Sequence, residues 1–158
     1  VDRFTKKAQS VRILREFIYL KICFMEIPKD AKVIDLTTSF LWLDEQGILY
    51  STPKPGIEQP VLTREETLAQ MAKLKELIGN KKVCMILESN SNSKPPKKED
   101  RDFIAEQLTE ITKAMGIIST SPLSRMVANL FFGLKPPPYP VKFFSNEQDA
   151  RAWIKQYL

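Results

Sequence analysis

The sequence predicts an α/β domain of order ββαβαβαβα, with a mostly parallel sheet, an antiparallel hairpin at its start and backing helices. Three observations carry this. Short apolar runs alternate along the chain with segments of helical period. The run "VCMIL" (Val83–Leu87) is uninterruptedly apolar and bounded by polar residues, as in a strand covered on both faces. From Pro136 onward, "PPPYPVKFFSNEQDARAWI" stops the chain with prolines, forms a short strand and opens a capped helix.

The elements follow in order. Ser39–Ser51 reads as two strands joined through Asp44-Glu45-Gln46-Gly47, a hairpin with its turn residues in place. After a loop with Pro53, Pro55, Gly56 and Pro60, Thr63 opens a helix with a capping box in which Glu66 reaches back to the cap amide. Leu68, Met71, Leu74 and Ile78 form its expected buried stripe, and Gly79-Asn80 stops it. The strand Val83–Leu87 and the polar loop Ser89–Lys98 come next. Glu99 and Asp100 begin a helix, with Phe103, Ile104, Leu108, Ile111 and Met115 expected on its inner face and Gly116 as its end.

"GIIST" is then a short strand. Ser121 caps the following helix with Pro122 at its first position, where a missing amide hydrogen costs little. Leu123, Met126, Val127, Leu130 and Phe131 repeat there at core spacing, and Gly133 closes the helix. The prolines at 136–138 and 140 force an extended crossing into the last strand, Val141–Phe144. Ser145 with Gln148 reads as a second capping box, and Ala150, Trp153, Ile154 and Tyr157 pack the terminal helix down. Trp153 and Phe143 are expected to be substantially buried.

Composition narrows the chemistry. Hydrophobic residues make up 43% of the 158 and charged ones 27%, a globular balance. There is no histidine, which removes the commonest metal ligand and the usual general base near neutral pH. Cys23 and Cys84 are isolated among apolar residues without metal or redox spacing, so both read as packing thiols in a reduced, cytoplasmic protein. No P-loop, dinucleotide fingerprint, nucleophile elbow or metal spacing occurs, and an enzyme is not expected.

The net charge of +5 is uneven. Residues 1–24 hold six basic side chains (Arg3, Lys6, Lys7, Arg12, Arg15, Lys21) against Asp2 and Glu16, leaving 18 basic and 17 acidic residues from Met25 onward. The body is therefore no nucleic-acid surface by charge. The chain divides into a basic N-terminal extension, 1–24, and a single α/β domain, 25–158. Within the extension, Phe4, Ala8, Val11, Leu14 and Ile18 share one helical face, as in a docked amphipathic helix. Contact with a membrane surface is the alternative, because its nearly uncharged run is too short to span a bilayer. The extension is expected to add little to the stability of the body.

The stretch "IISTSPLSRMVANLFFGLKPPPYPVKFFSNEQDARAWI" places a helix, a proline-bearing crossing, "PVKFF" and an "A-W-I" helix in an order that resembles the SpoIIAA-like family, relatives of the STAS domains of bacterial anti-sigma-factor antagonists. The resemblance covers roughly residues 39–157. It implies a curved sheet backed by helices, no bound cofactor and a role in binding a protein partner. Those antagonists carry an Asp-Ser pair followed by a small residue after the central strand, and phosphorylation of the serine switches partner binding. The corresponding loop here, "ESNSNSKPPKKED", lacks that motif, so no serine inherits the role.

Two candidate sites remain. The loop with Ser89, Ser91, Ser93, Lys94 and Lys97 lies past a strand's carboxyl end, where hydroxyls, amides and lysines are able to bind an anion or a partner; a solvated loop has the same composition. Ser119, Thr120, Ser121 and Ser124 cluster at a helix start, where capping explains Ser121 and no base activates the others. The second candidate is an apolar interface of Phe131, Phe132 and Leu134, because the helix from Ser121 carries more apolar surface than one sheet face covers. A homodimer would bury that excess, and the proline segment folding back over Phe132 would do so too. The alternative function is a small-ligand or lipid carrier of Sec14-like fold, with Leu123, Met126, Leu130, Phe131 and Phe132 lining a cleft, although core packing explains most of these residues equally well.

Overall fold

A computed structural model describes residues 25–57, 62–89, 97–134 and 136–158, apart from the side chains of Val127, Leu130, Phe131 and Phe132. The readings made above for residues 1–24, Cys23 included, lie outside the described residues.

Strands β1 (Val33–Asp35), β2 (Ser39–Leu43), β3 (Leu49–Pro53), β4 (Val83–Glu88), β5 (Thr112–Ile118) and β6 (Val141–Phe144) form one sheet in chain order. The first three pair antiparallel; β3 to β6 are parallel. Helices α1 (Arg64–Ile78), α2 (Lys98–Thr109) and α3 (Pro122–Leu134) make the three crossovers, and α4 (Glu147–Ile154) follows β6 and ends in a 3₁₀ turn, Lys155–Tyr157. The predicted class holds, with one strand added. β1 is only three residues long, too short for an alternating pattern to show, and it owes its form to pairing with β2, Val33 opposite Trp42.

Local chemistry sets the turns. The Asp44 carboxylate accepts from the amides of Gln46 and Ile48, both at 2.9 Å, and Gly47 takes the left-handed conformation that closes the hairpin, at φ 76°. Thr63 and Glu66 form the predicted reciprocal cap of α1. Along α1 the buried residues are Thr67, Leu74 and Ile78; Leu68 is 49% exposed, which corrects the predicted stripe by one position. The cap of α4 is Asn146, whose Oδ1 accepts from the Asp149 amide at 2.9 Å, in place of the predicted Ser145–Gln148 box.

The sheet separates two cores. On one face Trp42, Tyr50, Cys84, Ile86, Ala114 and Phe144 pack with Ala150 and Ile154 of α4 and with Met25. On the other, Leu41, Leu49, Met85 and Met115 pack with Leu74 and Ile78 of α1 and with Ile111. Successive β4 residues thus serve opposite cores, as the apolar run predicts. Burial on this strand also pushes the Cys84 thiol above its ordinary pKa, consistent with a packing role. Between β6 and α4 the phase differs from expectation: Phe144 is buried and Phe143 half-buried, because Phe144 shares the α4 face. Trp153 is likewise half-buried at the rim of that core, stacked edge-on against Tyr157.

The largest correction concerns Met115 and Gly116. The predicted helix through Met115 stops at Thr109, and β5 already begins at Thr112. Gly116 is therefore a mid-strand residue beneath α4, where an added Cβ would lie 3.4 Å from the Ala150 Cβ and 3.5 Å from the Phe144 ring. Its job is close approach of helix to sheet. A methyl group still fits at that spacing, so Gly116→Ala should leave the urea midpoint nearly unchanged. Gly116→Leu should lose about 1–3 kcal/mol, because its side chain displaces Ala150 or Phe144. Equal midpoints for the two variants would contradict this packing.

Candidate functional site

Two residues of the predicted core stripe of α3 face solvent instead, while the side chains of the other three, Val127, Leu130 and Phe131, lie outside the described residues. Leu123 is 66% exposed, Met126 64% and Leu134 76%, although the first two were expected in the core. At 3.6 residues per turn these three fall within an arc of about 80°. Two polar residues fix the rotation. Arg125 donates through its guanidinium to the Ser119 carbonyl at 2.5 Å, and the Asn129 Oδ1 accepts the Phe143 amide at 3.1 Å. Four residues apart, they share the helix side that faces the sheet. The Phe143 N–H belongs to the outermost strand, so Asn129 also satisfies a donor at the sheet edge.

Beside the helix runs an open groove of about 520 Å³, lined by Asn129, Gly133, Pro136, Pro137, Pro138, Tyr139, Pro140 and Val141. Tyr139 is 8% exposed and packs into the α1 core, and the Pro140 carbonyl accepts the Met115 amide at 2.8 Å. The proline crossing is thereby tied to the sheet and forms a fixed wall. An apolar ridge and a rigid groove lie side by side on one surface.

Of the predicted interface, Leu134 stands fully on this surface, and the Phe131 and Phe132 side chains lie outside the described residues. In the polar loop, Ser89 is exposed and its amide donates to the Ile118 carbonyl at 2.8 Å; Lys97 is exposed at the start of α2 and makes no capping bond. Ser91, Ser93 and Lys94 lie outside the described residues. The loops leaving β3 and β4 lead to α1 and α2, which cover the same face. The reversal of crossover direction that opens a ligand crevice in parallel sheets does not fall between them.

Polar residues do gather along the carboxyl ends of the strands. Thr38, Thr52 and Ser119 are buried there, and the Thr52 hydroxyl donates to the half-buried Glu88 carboxylate. The Ser119 amide donates to the Phe144 carbonyl at 3.0 Å, while Ser121 caps α3 by accepting the Ser124 amide at 3.2 Å. The fold itself takes up these groups. Among the described residues no cluster of three or more His, Cys, Asp or Glu side chains is arranged to hold a metal ion, and no helix is long and apolar enough to cross a membrane.

A second charged group joins the hairpin to α4. Arg151 pairs with Asp44 at 3.2 Å and with Glu147 at 3.6 Å, hydrogen-bonds the Tyr50 hydroxyl and lies over the Tyr50 ring at 5.5 Å. Tyr50 stacks on Trp42 at 5.3 Å and donates to Asp44 at 3.2 Å; burial, reinforced by Asp44, pushes its phenol up. Nothing in the sequence signals this group, because Arg151 and Tyr50 are 101 residues apart in the chain.

A mixed six-stranded sheet with helices on both faces defines an α/β domain, with exposed apolar residues on α3. The chain belongs to the family described as a domain of unknown function (DUF7793), which matches residues 41–158. A comparison with curated proteins finds no match. Among solved structures, the chain is similar to an uncharacterized protein of the DUF3478 family with a SpoIIAA-like fold from Shewanella loihica PV-4. The identity is 15%, over 82% of this chain and 98% of that one, with a TM-score of 0.47. A protein with unknown function from Arthrobacter sp. FB24 is similar at 20% identity, over 83% of this chain and 98% of that one, with a TM-score of 0.23.

The Arg151 group generates a pH dependence. Burial raises the Glu147 carboxyl pKa, with Asp44 and Glu26 adding to the rise and Arg151 opposing it. A carboxyl whose folded pKa is raised contributes its stability below the unfolded value, about 4.3, and loses it as pH rises through the folded value. Glu147→Gln should therefore melt higher than the wild type at pH 7, with the gain vanishing below about pH 4. Thermal midpoints across that range check this; a variant less stable at pH 7 would show the ion pair with Arg151 to dominate.

Proposed function

We propose that this domain is a non-catalytic interaction module whose partner-binding surface is the apolar face of α3 with the adjoining proline groove. The observation that carries the reading is the exposure of Leu123, Met126 and Leu134 on a helix that Arg125 and Asn129 hold in place. Exposed apolar side chains on a helix are what protein interfaces place at their centre. The polar groups at the strand ends support the non-catalytic part, since they are engaged within the fold. The sequence resemblance to partner-binding SpoIIAA-like domains agrees with this.

A small-molecule site buries most of its ligand's surface. The groove is open and walled by prolines, so an acyl chain lying in it would stay half in water; the geometry favours a protein surface over a lipid carrier. Affinity capture with the wild type and with Leu123→Asp tests the reading. Both proteins should melt alike, since Leu123 is solvent-facing, and a stoichiometric partner should be retained by the wild type and lost, by at least about tenfold, with the variant. Capture that is indifferent to Leu123→Asp would place the partner surface elsewhere.

A further inference from the structure

We propose that Met126 is a modification site, at which a peroxide converts the thioether to the sulfoxide and so weakens partner binding by α3; the inference rests on the interaction-module reading and adds its regulation. Exposure singles this residue out. The chain has five methionines, and all of them lie among the described residues. Met25, Met85 and Met115 are 0%, 2% and 4% exposed in the two cores, and Met71 is half-buried against one of them. Met126 is 64% exposed.

The chemistry needs only access to the sulfur. A sulfur lone pair attacks one peroxide oxygen, the O–O bond breaks, and the products are the sulfoxide and water. Sulfur loses the two electrons that the peroxide gains. No base or metal is required, so a chain without histidine supports the step. A packed core keeps the peroxide from Met25, Met85 and Met115, which leaves Met126 to react first.

The product changes the surface and spares the fold. A sulfoxide is polar, where the thioether is apolar and adaptable. Leu123, one turn before Met126, is exposed as well, so the added oxygen enters the surface proposed to bind the partner. Covered there without a hydrogen-bond donor, it costs affinity. The same oxygen on a core methionine would destabilise the fold itself. Methionine sulfoxide reductases remove the oxygen, so the change is reversible.

Hydrogen peroxide titration of the full chain with peptide mass spectrometry tests the site. Met126 should gain its oxygen ahead of Met71 and at least about tenfold faster than Met25, Met85 and Met115. The protein oxidised at Met126 should keep its thermal midpoint within about 2 °C. It should retain at least about fivefold less of the partner captured by the untreated wild type. A methionine sulfoxide reductase with dithiothreitol should restore capture, and dithiothreitol alone, which reverses only cysteine oxidation, should not. Equal rates at all five methionines, or a midpoint that falls with oxidation of Met126, overturn the proposal. Capture that depends on Leu123 but survives oxidation of Met126 overturns the regulation and leaves the interaction module standing. Capture indifferent to both overturns the two together.

Discussion

Two hydrogen bonds decide which way α3 faces. The Arg125 guanidinium lies on the Ser119 carbonyl and the Asn129 amide oxygen on the Phe143 N–H, which ties these two positions of the helix to the ends of β5 and β6. A helix whose apolar stripe is its strongest feature would ordinarily turn that stripe inward. The bonds satisfy the part-buried Ser119 carbonyl and the solvent-exposed amide of Phe143 on the edge strand. Everything inferred about the surface of this domain follows from that rotation.

The rest of the molecule makes the rotation possible. β4 is buried on both faces, with α1 and Ile111 contributing to one core and α4 with Met25 to the other. Gly116 lets α4 approach closely, and the Arg151 group ties α4 to the β2–β3 hairpin. The proline crossing then returns the chain from α3 to β6 along a fixed path, pinned through Tyr139 and the Pro140 carbonyl. Stability resides in the two cores on either side of the sheet.

Much of the architecture was legible in the chain. The hairpin turn at Asp44–Gly47, the Thr63 capping box, the Gly79 stop, the double-sided strand at Val83–Leu87 and the Ser121–Pro122 helix start are local chemistry, and each appears in the structure where the residues place it. What failed depended on tertiary partners. Gly116 has the look of a helix stop but sits mid-strand under α4, and β1 exists through its pairing with β2. The candidate surface was half legible: the apolar excess of "SPLSRMVANLFFGL" was visible, but its core stripe was assigned inward. Asn129, a lone amide in that apolar run, was the available clue, since a polar residue mid-helix needs a partner and the sheet edge supplies one.

The outward orientation of α3 is best measured by cysteine accessibility. In dilute protein with Cys23→Ser, and with Cys84 shielded at 1% exposure, Met126→Cys should react with a maleimide almost as fast as in the unfolded chain. Half-buried Ala128→Cys, on the side of Arg125, should react at least about tenfold more slowly. A protected Met126→Cys beside a reactive Ala128→Cys would mean that the apolar stripe faces the sheet after all.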